Sequence, residues 1–208
     1  VISGNGRAFC AGHDLREMQR HPDKAWQRTL FDQCSRVMLT IANMPQPVIA
    51  RVHGVATAAG CQLVAACDLA IACRSARFAT SGVNLGLFCS TPAVALTQAL
   101  APKHAAEMLF TGGFIDAALA AQWGLVNRCV DDNVLDDQTR AMADTLASKS
   151  SHALSSGKSL LRHMKGTTLP DAYAIASENM AVDMLSQDAA AGINAFTEKR
   201  AMPEWSDQ

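Results

Sequence analysis

The sequence lacks an excess of charge of either sign. Its 208 residues carry 18 basic and 19 acidic side chains. Proteins that bind nucleic acid or an anionic membrane surface normally show a basic patch or stripe, because contacts to phosphate groups supply much of the affinity. We therefore expect no nucleic-acid partner and no membrane partner. A phosphate-bearing small molecule needs only a few local cations and is compatible with this composition.

The sequence also lacks the cysteine patterns of a metal or redox site. Its seven cysteines form neither a Cys-x-x-Cys pair nor a Cys/His cluster with the spacing of a zinc site. Most lie in apolar stretches, where a free cysteine behaves as a small hydrophobic side chain. They indicate a reducing compartment, the cytoplasm or, in a eukaryote, the mitochondrial matrix, and no metal site is expected.

An uninterrupted membrane span and a cleavable signal are absent as well. The apolar run at residues 55–73 has the length of a span, but Gln62 and Asp68 interrupt it. Its many alanines and cysteines better fit a buried helix followed by a buried strand. The start of the chain shows no signal pattern. Residues 1–4 instead resemble the end of a strand that enters a loop, so we expect the chain to begin inside a fold.

The most informative stretch that is present is GVATAAGCQLVAACD at residues 54–68. Its small residues Ala58, Ala59 and Gly60 let a ligand approach the backbone closely. A helix that begins near Gly60 leaves its first N–H groups unpaired and directed at an incoming oxygen, which is the outline of an oxyanion site. Gln62 lies one helical turn inside, where an acid–base enzyme needs a carboxylate. Its amide cannot act as one.

Alternating short strands and helices predict an α/β core. A turn-rich loop at residues 4–12 precedes Asp14, which is a predicted helix N-cap. Residues 81–90 are predicted to form a second loop. The predicted strands are residues 48–52, 69–73 and 77–79, and the predicted helices are residues 25–44 and 93–100, the second capped by Thr91 with Pro92 as its first residue.

The character of the chain changes after Val130, where residues 131–133 are predicted to form a loop. From residue 135 onward nearly every residue is predicted to be helical, with a break at residues 166–168 and an end near Arg200. The alanine, methionine and leucine surfaces of this region exceed what one short helix needs for itself. Such a surplus usually covers a partner subunit. The alternative is that these helices pack only on the core of their own chain.

Four segments in order resemble the enoyl-CoA hydratase/isomerase, or crotonase, superfamily: FCAGHDL at residues 9–15, PVIARVHGVATAAGCQLVAACDLAIA at 47–72, FATSGVNLGL at 78–87 and EMLFTGGFIDAALAAQWGLVNRCV at 107–130. The resemblance covers nearly the whole chain. It implies an α/β fold with a crotonase-type spiral of strand-strand-helix turns over residues 1–134, from which an N-terminal part of the family fold is missing. It also implies a C-terminal helical trimerisation region over residues 135–208.

The resemblance further implies a ligand, an assembly and a set of site residues. The ligand is an acyl-CoA thioester, the assembly is a homotrimer or a dimer of trimers, and no cofactor is needed beyond the coenzyme A within the substrate. The family holds the thioester carbonyl in an oxyanion hole of two backbone N–H groups, which here belong to His13 and Ala59. The implied substrate-binding positions are Ala11, Asp14, Arg16, Gly60, Cys89 and Lys199.

Arg16 and Lys199 are the candidates for the phosphates and adenine of coenzyme A. Lys199 would act from this chain or from a neighbouring subunit. Both side chains are equally consistent with solvated surface cations.

The chain departs from the family pattern at both catalytic carboxylates. A family hydratase uses two glutamates to position water and to move its proton to the α-carbon, and these positions hold Gln62 and Gly82 here. Losing one acid–base group typically costs about 10² to 10⁴ in rate. Hydratase activity is therefore expected to be weak or absent. Restoring both glutamates is expected to create hydratase activity if the pocket is otherwise intact.

The sequence leaves the identity of a base open. The nearby loops supply Asn84, Cys89, Ser90 and Thr91, and a helix supplies Asp116. Cys89 is the only ready nucleophile among them, but nothing in the sequence places a base beside it, and it equally fits small loop filler. Two hypotheses follow. One is a lyase or isomerase that works through an enolate with an unidentified or substrate-supplied base, and the other is a non-catalytic acyl-CoA-binding regulatory or scaffold protein.

Four further polar side chains are interpreted structurally. The ring of His13 is expected to lie near the ligand without taking part in the chemistry. His53 is interpreted as a packed or capping histidine. Asp14 is interpreted as an N-cap and Asp68 as a residue of the loop after a helix.

Overall fold

The fold was analysed in a computed structural model, which describes residues 1–205. The chain divides into two compact units. The first consists of Val1–Ala42 and Val48–Ala141, and the second consists of Asn43–Pro47 and the chain from Met142 onward.

The first unit contains two four-stranded sheets, which confirms the predicted α/β class. One sheet has the strand order β1-β3-β5-β8 and is parallel throughout. The other has the order β2-β4-β6-β7 and is parallel except for the pair β6–β7. The strands are β1 Ile2–Ser3, β2 Ala8–Cys10, β3 Ile49–Val52, β4 Val55–Thr57, β5 Leu69–Cys73, β6 Arg77–Ala79, β7 Ile115–Asp116 and β8 Arg128–Val130.

Helices follow the strands of the second sheet and make up the second unit. The helices are α1 Leu15–Arg20, α2 Lys24–Asn43, α3 Ala59–Ala66, α4 Ser90–Ala99, α5 Pro102–Thr111, α6 Ala117–Trp123, α7 Leu135–Ala147, α8 Ser151–His163, α9 Leu169–Asp183 and α10 Gln187–Thr197. Two short 3₁₀ helices, Ser81–Leu85 and Asp132–Val134, complete the regular structure. Within residues 1–205, no helix combines the length and the apolar character needed to cross a membrane.

The chain passes repeatedly from a strand of one sheet to a strand of the other and then into a helix. β3, β4 and α3 form one such turn, and β5 and β6 begin the next. Gly54 allows the passage between β3 and β4. Its φ is +61°, and a Cβ atom there would lie 2.2 Å from the carbonyl oxygen of Arg7. Only glycine accepts both the left-handed conformation and the close approach.

The centre of the first unit is formed by β3 and β5. Both strands read as nearly continuous apolar sequence, as expected for parallel strands that are covered on both faces. Ala50, Val52, Ile71 and Ala72 are completely buried. This core fixes the sheet from which the neighbouring loops project.

In the second unit, a polar network joins α8 to α9. Ser156 Oγ donates to Asp183 Oδ1 at 2.8 Å, Asn179 Nδ2 donates to Asp183 Oδ2 at 2.8 Å, and His152 Nε2 lies 3.2 Å from Asp183 Oδ1. No residue of α9 is buried within this chain. Its large apolar side chains are therefore open to solvent or to another molecule.

Four strands were missed by the sequence prediction, namely β2, β4, β7 and β8. β2 lies inside the segment predicted as a turn-rich loop at residues 4–12, and β4 lies inside the small-residue stretch after Gly54. Each of the four strands has two or three residues, which is too short for an alternating pattern to be recognised. Their hydrogen bonds to neighbouring strands, which local sequence does not encode, make them strands.

The N-terminus of α4 was also predicted wrongly. The helix begins at Ser90 with Cys89 in the cap position, so Thr91 and Pro92 lie in its first turn.

The prediction of a single break in the C-terminal helical stretch was wrong too. The chain leaves the helical conformation after α7, α8 and α9, whereas the end of α10 at Thr197 agrees with the predicted end near Arg200. In two of these places a serine caps the next helix, Ser150 for α8 and Ser186 for α10.

Candidate active site

A cavity of about 640 Å³ opens in the first unit where β2, β4 and β6 end. The carboxyl ends of parallel strands lie at one edge of a sheet, and ligands commonly bind there. Ala11 follows β2, Ala58 follows β4 and Ser81 follows β6, and all three line the cavity.

The helix α1 forms one side of the cavity, and Asp14 fixes its start. Asp14 Oδ1 accepts hydrogen bonds from the backbone N–H of Arg16 at 2.8 Å and of Glu17 at 3.4 Å. The predicted N-cap at Asp14 is thus confirmed. Leu15, Arg16 and Met18 line the cavity from this helix.

The start of α3 is held in an unusual backbone conformation. Ala58 has φ 52° and ψ −118°, a region that costs a residue other than glycine about 1 to 3 kcal/mol. Its N–H donates to the carbonyl oxygen of Ala79 at 3.0 Å, which anchors it to β6. This conformation turns the chain directly into α3, whose first residue, Ala59, lines the cavity.

Gly12 brings the loop after β2 against the start of α3. Its φ is +90°, and a Cβ atom at this position would lie 3.3 Å from the backbone nitrogen of Ala59 and 3.2 Å from the carbonyl oxygen of Thr57. The peptide that precedes His13 therefore lies next to the peptide that precedes Ala59. Within residues 1–205, neither the His13 N–H nor the Ala59 N–H has a hydrogen-bond acceptor.

The imidazole of His13 also lines the cavity. It makes an edge-on contact with Phe31 of α2, with ring centroids 5.5 Å apart. Partial burial lowers the pKa of His13 below its usual 6.5. No hydrogen bond to either ring nitrogen is formed by the part of the chain that the structure describes.

The structure places Gln62 and Gly60 behind the cavity wall rather than in it. Gln62 is 3% exposed, and its Oε1 accepts a hydrogen bond from the thiol of Cys34 at 3.8 Å. A Cβ atom at Gly60 would lie 2.0 Å from the carbonyl oxygen of Cys10, so this glycine permits the contact between α3 and β2. Neither residue belongs to the lining of the cavity.

Gly82 lines the cavity, but its surroundings leave no space for a side chain. A Cβ atom at this position would lie 2.5 Å from the carbonyl oxygen of Leu87 and 2.8 Å from Cys89 Sγ. The backbone N–H of Leu87 donates to the Gly82 carbonyl at 3.0 Å and fixes the loop in this position. The loop is thus folded onto the position where the family glutamate is expected.

Cys89 is buried and contributes its side chain to the same corner of the cavity. It lies close to Cys61, whose pKa is raised to about 12 by complete burial and by the proximity of Cys89. A thiol at Cys61 therefore stays protonated at neutral pH. Ser90 and Thr91 also line the cavity.

Other candidate side chains lie elsewhere and have structural partners. Asp116 caps α6 by accepting the Leu119 N–H at 2.8 Å, and Asn84 Nδ2 donates to the Gly112 carbonyl at 3.1 Å. His53 Nε2 lies 3.0 Å from the Gly6 carbonyl oxygen. None of these three lines the cavity. Asp68 accepts the Val48 N–H at 2.7 Å and is likewise outside the lining.

Lys199 lies in the second unit, just after α10, with a φ of 55°. Its backbone N–H donates to the Phe196 carbonyl at 3.2 Å. Arg16 is the one of the two cation candidates that lines the cavity of the first unit.

The apolar wall of the cavity was missed by the sequence analysis. Leu87 and Phe88, in the loop before α4, are 50% and 43% exposed although large and apolar. An LGLF run inside a loop was the available signal, because exposed apolar loop residues often mark a binding surface. The apolar lining residues are Leu15, Met18, Phe31, Leu85, Leu87 and Phe88. Within residues 1–205, no three His, Cys, Asp or Glu side chains are grouped so as to hold a metal ion.

The sequence matches the family model for enoyl-CoA hydratase/isomerase over residues 1–208. The chain belongs to the enoyl-CoA hydratase/isomerase family. The crystal structure of an enoyl-CoA hydratase from Mycobacterium smegmatis is 51% identical in sequence and superimposes with a TM-score of 0.94. The match covers 96% of this chain and 78% of that chain, which confirms the predicted crotonase fold.

This family member is also similar to enoyl-CoA hydratase domain-containing protein 3. The crystal structure of the human protein is 44% identical with a TM-score of 0.93, and the match covers 97% of this chain and 79% of that chain. The mitochondrial protein of the same name from Rattus norvegicus is 44% identical over 206 residues, which are 99% of this chain and 68% of that protein. Gln62 together with residues 82–92 predicts this likeness, and it is confirmed.

Proposed function

We propose that this enoyl-CoA hydratase/isomerase family protein binds acyl-CoA thioesters, with the thioester carbonyl oxygen held by the N–H groups of His13 and Ala59. The observation that carries the proposal is the pairing of these two N–H groups across Gly12, at a cavity and without acceptors in the described chain. An oxyanion-hole donor of this kind contributes about 3 to 4 kcal/mol to the stability of a developing enolate. No cofactor is required beyond the coenzyme A of the substrate.

The remaining lining of the cavity fits the two ends of such a ligand. The apolar side chains of Met18, Phe31 and Leu87 suit a hydrocarbon acyl group. Arg16, which is exposed, suits the phosphates of coenzyme A. A cytoplasmic or mitochondrial-matrix protein would meet such ligands in a reducing compartment, where its seven free cysteines persist.

Hydration of enoyl-CoA is proposed to be weak or absent. Gln62 cannot accept a proton at neutral pH, and Gly82 has neither a side chain nor space for one. The same observation supports the alternative function of a non-catalytic acyl-CoA-binding protein with a regulatory or scaffold role. Both functions require acyl-CoA binding, so only a measurement of acyl-CoA turnover distinguishes the enzyme from the non-catalytic binding protein.

The proposal is tested by following crotonyl-CoA hydration through the loss of enoyl thioester absorbance, alongside calorimetric titration with acetyl-CoA and octanoyl-CoA. We expect saturable binding and little or no hydration. Hydration at the rate of ordinary family hydratases would overturn the interpretation of Gln62 and Gly82. Absence of binding would overturn the proposed acyl-CoA site itself.

The substitution Gly12→Ala is expected to weaken acyl-CoA binding at least tenfold. Its new Cβ would lie 3.1 Å from the Cβ of Ala58 and 3.3 Å from the Ala59 nitrogen, between the two proposed donors. A tenfold loss corresponds to about 1.4 kcal/mol. Calorimetric titration with octanoyl-CoA measures the change.

Gly124→Ala is the matched control for Gly12→Ala. Gly124 has a φ of +88°, close to the +90° of Gly12, and a Cβ there would meet nothing within 4 Å. Both variants therefore place an alanine at nearly the same positive φ, and only Gly12→Ala crowds the site. Equal affinities of the two variants would show that the paired N–H groups do not hold the ligand.

We further propose that the protein assembles as a homotrimer or a dimer of trimers through the exposed apolar side chains of its second unit. The support is the extent of this surface: Tyr173 is 69% exposed, Leu185 is 88% exposed and Phe196 is 73% exposed. Exposed apolar side chains of this size often mark a protein–protein interface. The helices α9 and α10 and the turn between them carry these residues.

Sedimentation equilibrium is expected to give three or six times the chain mass of 22.1 kDa. Tyr173→Glu with Phe196→Glu is expected to reduce the mass to that of one chain, because two buried unpaired charges are costly at an interface. Val94→Glu, at a residue of α4 that is 62% exposed, is the control. A wild-type protein that sediments as a single chain would overturn the proposed assembly.

A further inference from the structure

Few side chains in the cavity have the chemistry of a proton acceptor. Four titratable groups line it, namely His13, Asp14, Arg16 and Cys89. The other side chains contributed to the wall by α2, by the start of α3 and by the loop after β6 are uncharged. A proton acceptor in this cavity must therefore be one of these four groups.

Three of the four groups are poorly suited to accept a proton. Asp14 Oδ1 already accepts two backbone N–H groups as the cap of α1. The guanidinium of Arg16 has no acceptor atom. The thiol of Cys89 must lose its own proton before it can accept another. None of these limits applies to an imidazole.

We propose that the His13 imidazole is the general base of this site and removes the α-proton of a bound acyl thioester. This inference rests on the proposed function, because it requires a thioester carbonyl on the N–H groups of His13 and Ala59. The α-carbon is bonded to the carbonyl carbon, so a carbonyl oxygen on these N–H groups places the α-C–H bond inside the cavity. His13 lines this cavity, and its ring packs on Phe31, which lines it as well. His13 thus supplies both an oxyanion donor and the base.

The surroundings of the ring favour this role. The edge-on contact with Phe31 fixes the orientation of the ring, and in residues 1–205 neither ring nitrogen is occupied by a hydrogen bond. Both ring nitrogens are therefore open to a ligand. Partial burial lowers the pKa of His13, which keeps the ring neutral at pH 7 and able to accept a proton.

The proton transfer balances without another reactant. The α-C–H bond breaks, its proton moves to an unprotonated ring nitrogen of His13, and its electron pair forms the enolate. The two N–H groups stabilise the negative charge on the enolate oxygen. Return of the proton to the same carbon regenerates the thioester, and return to another carbon of an unsaturated acyl group produces an isomer.

The inference is tested by incubating the protein with butyryl-CoA in D₂O and measuring α-deuterium by mass spectrometry. The wild type is expected to exchange the α-protons. His13→Gln retains the backbone N–H and a polar side chain, and it is expected to lower the exchange rate about 10²- to 10⁴-fold while still binding butyryl-CoA in a calorimetric titration. His21→Gln is the control, since His21 stacks on Trp26 at 4.5 Å and does not line the cavity.

The pH profile supplies a second readout that does not depend on how well a variant folds. The wild-type exchange rate is expected to be level above pH 7 and to fall at lower pH, with its midpoint below 6.5, because the ring loses its acceptor nitrogen on protonation. His21→Gln is expected to keep this profile, because His21 does not line the cavity. A wild-type profile without this fall at low pH would overturn the role of His13 as the base.

The outcomes separate this inference from the proposed function. Binding without exchange in the wild type, or equal exchange in His13→Gln, would overturn the role of His13 and leave the acyl-CoA site standing. Loss of binding in His13→Gln would show that the ring holds the ligand rather than moves its proton. Failure of the wild type to bind butyryl-CoA would overturn the acyl-CoA site and this inference with it.

Discussion

The double substitution Gln62→Glu with Gly82→Glu is expected to leave crotonyl-CoA hydration undetectable and to destabilise the protein. The sequence alone predicts the opposite, because it places both family glutamates at these positions. The difference lies in the space around Gly82. A side chain there must displace the carbonyl oxygen of Leu87, which lies 2.5 Å from the Cβ position, together with the buried thiol of Cys89.

Position 62 adds a second obstacle. Gln62 is buried behind the cavity wall and accepts a hydrogen bond from Cys34, whose pKa is raised by burial and by nearby Cys10, so that its thiol stays protonated. A glutamate at position 62 would place a carboxylate where burial disfavours its charged form. It would also lie behind the wall that a substrate contacts.

Overpacking and a buried carboxylate together are expected to lower the free energy of unfolding by about 3 kcal/mol or more. For a chain of this length, 3 kcal/mol corresponds to a decrease of about 6 to 12 °C in the melting temperature. Thermal melts of the double variant and of each single variant measure the loss. Gln62→Glu alone leaves position 82 unchanged, and its crotonyl-CoA hydration is measured beside that of the double variant. Hydration by a stable double variant would show that the loop at residues 81–90 opens readily.

Gly60→Ala is expected to destabilise the first unit strongly. Its Cβ would lie 2.0 Å from the carbonyl oxygen of Cys10 and 2.8 Å from the Cβ of Cys10. Both partners belong to a strand and cannot rotate away, so the start of α3 must move off β2. We expect a loss of about 3 kcal/mol or more in the free energy of unfolding, with weaker acyl-CoA binding because the Ala59 N–H moves as well.

Gly157→Ala is the matched control for Gly60→Ala. Gly157 lies inside α8, and a Cβ there would meet nothing within 4 Å. Replacing an unhindered helical glycine by alanine stabilises a protein by about 0.5 to 1 kcal/mol. In urea unfolding, the free energy of unfolding should therefore decrease for Gly60→Ala and increase for Gly157→Ala. A Gly60→Ala variant as stable as the wild type would contradict the close contact between α3 and β2.

Much of the fold could be predicted because the signals are local. The cap at Asp14 follows from one side chain and two neighbouring N–H groups. The C-terminal end of α2 follows from Pro45 and Pro47, which cannot continue a helix, and the buried strands β3 and β5 follow from apolar runs. Strands of three residues, such as β2 and β4, could not be found in this way, because their hydrogen bonds are made to residues distant in the chain.

The same distinction applies to the candidate site. The motif around Ala59 and Gly60 indicates an oxygen-binding helix start, since small residues and unpaired N–H groups follow directly from the sequence. The motif gives no information on whether a neighbouring segment fills the space beside Gly82. It also leaves open whether the ring of His13 points at a ligand or away from it.

The sequence by itself determined the family, the α/β class and the absence of carboxylates at positions 62 and 82, because residue identities and short motifs are enough for each. Only the tertiary structure decided that Gly82 is closed by Leu87 and Cys89, that Gln62 lies behind the cavity wall against Cys34, and that the His13 ring enters the cavity beside Phe31. The physical reason is that these properties depend on the packing of loops and helices against one another. Packing is fixed by the distances between atoms of the folded chain, which a local pattern does not specify.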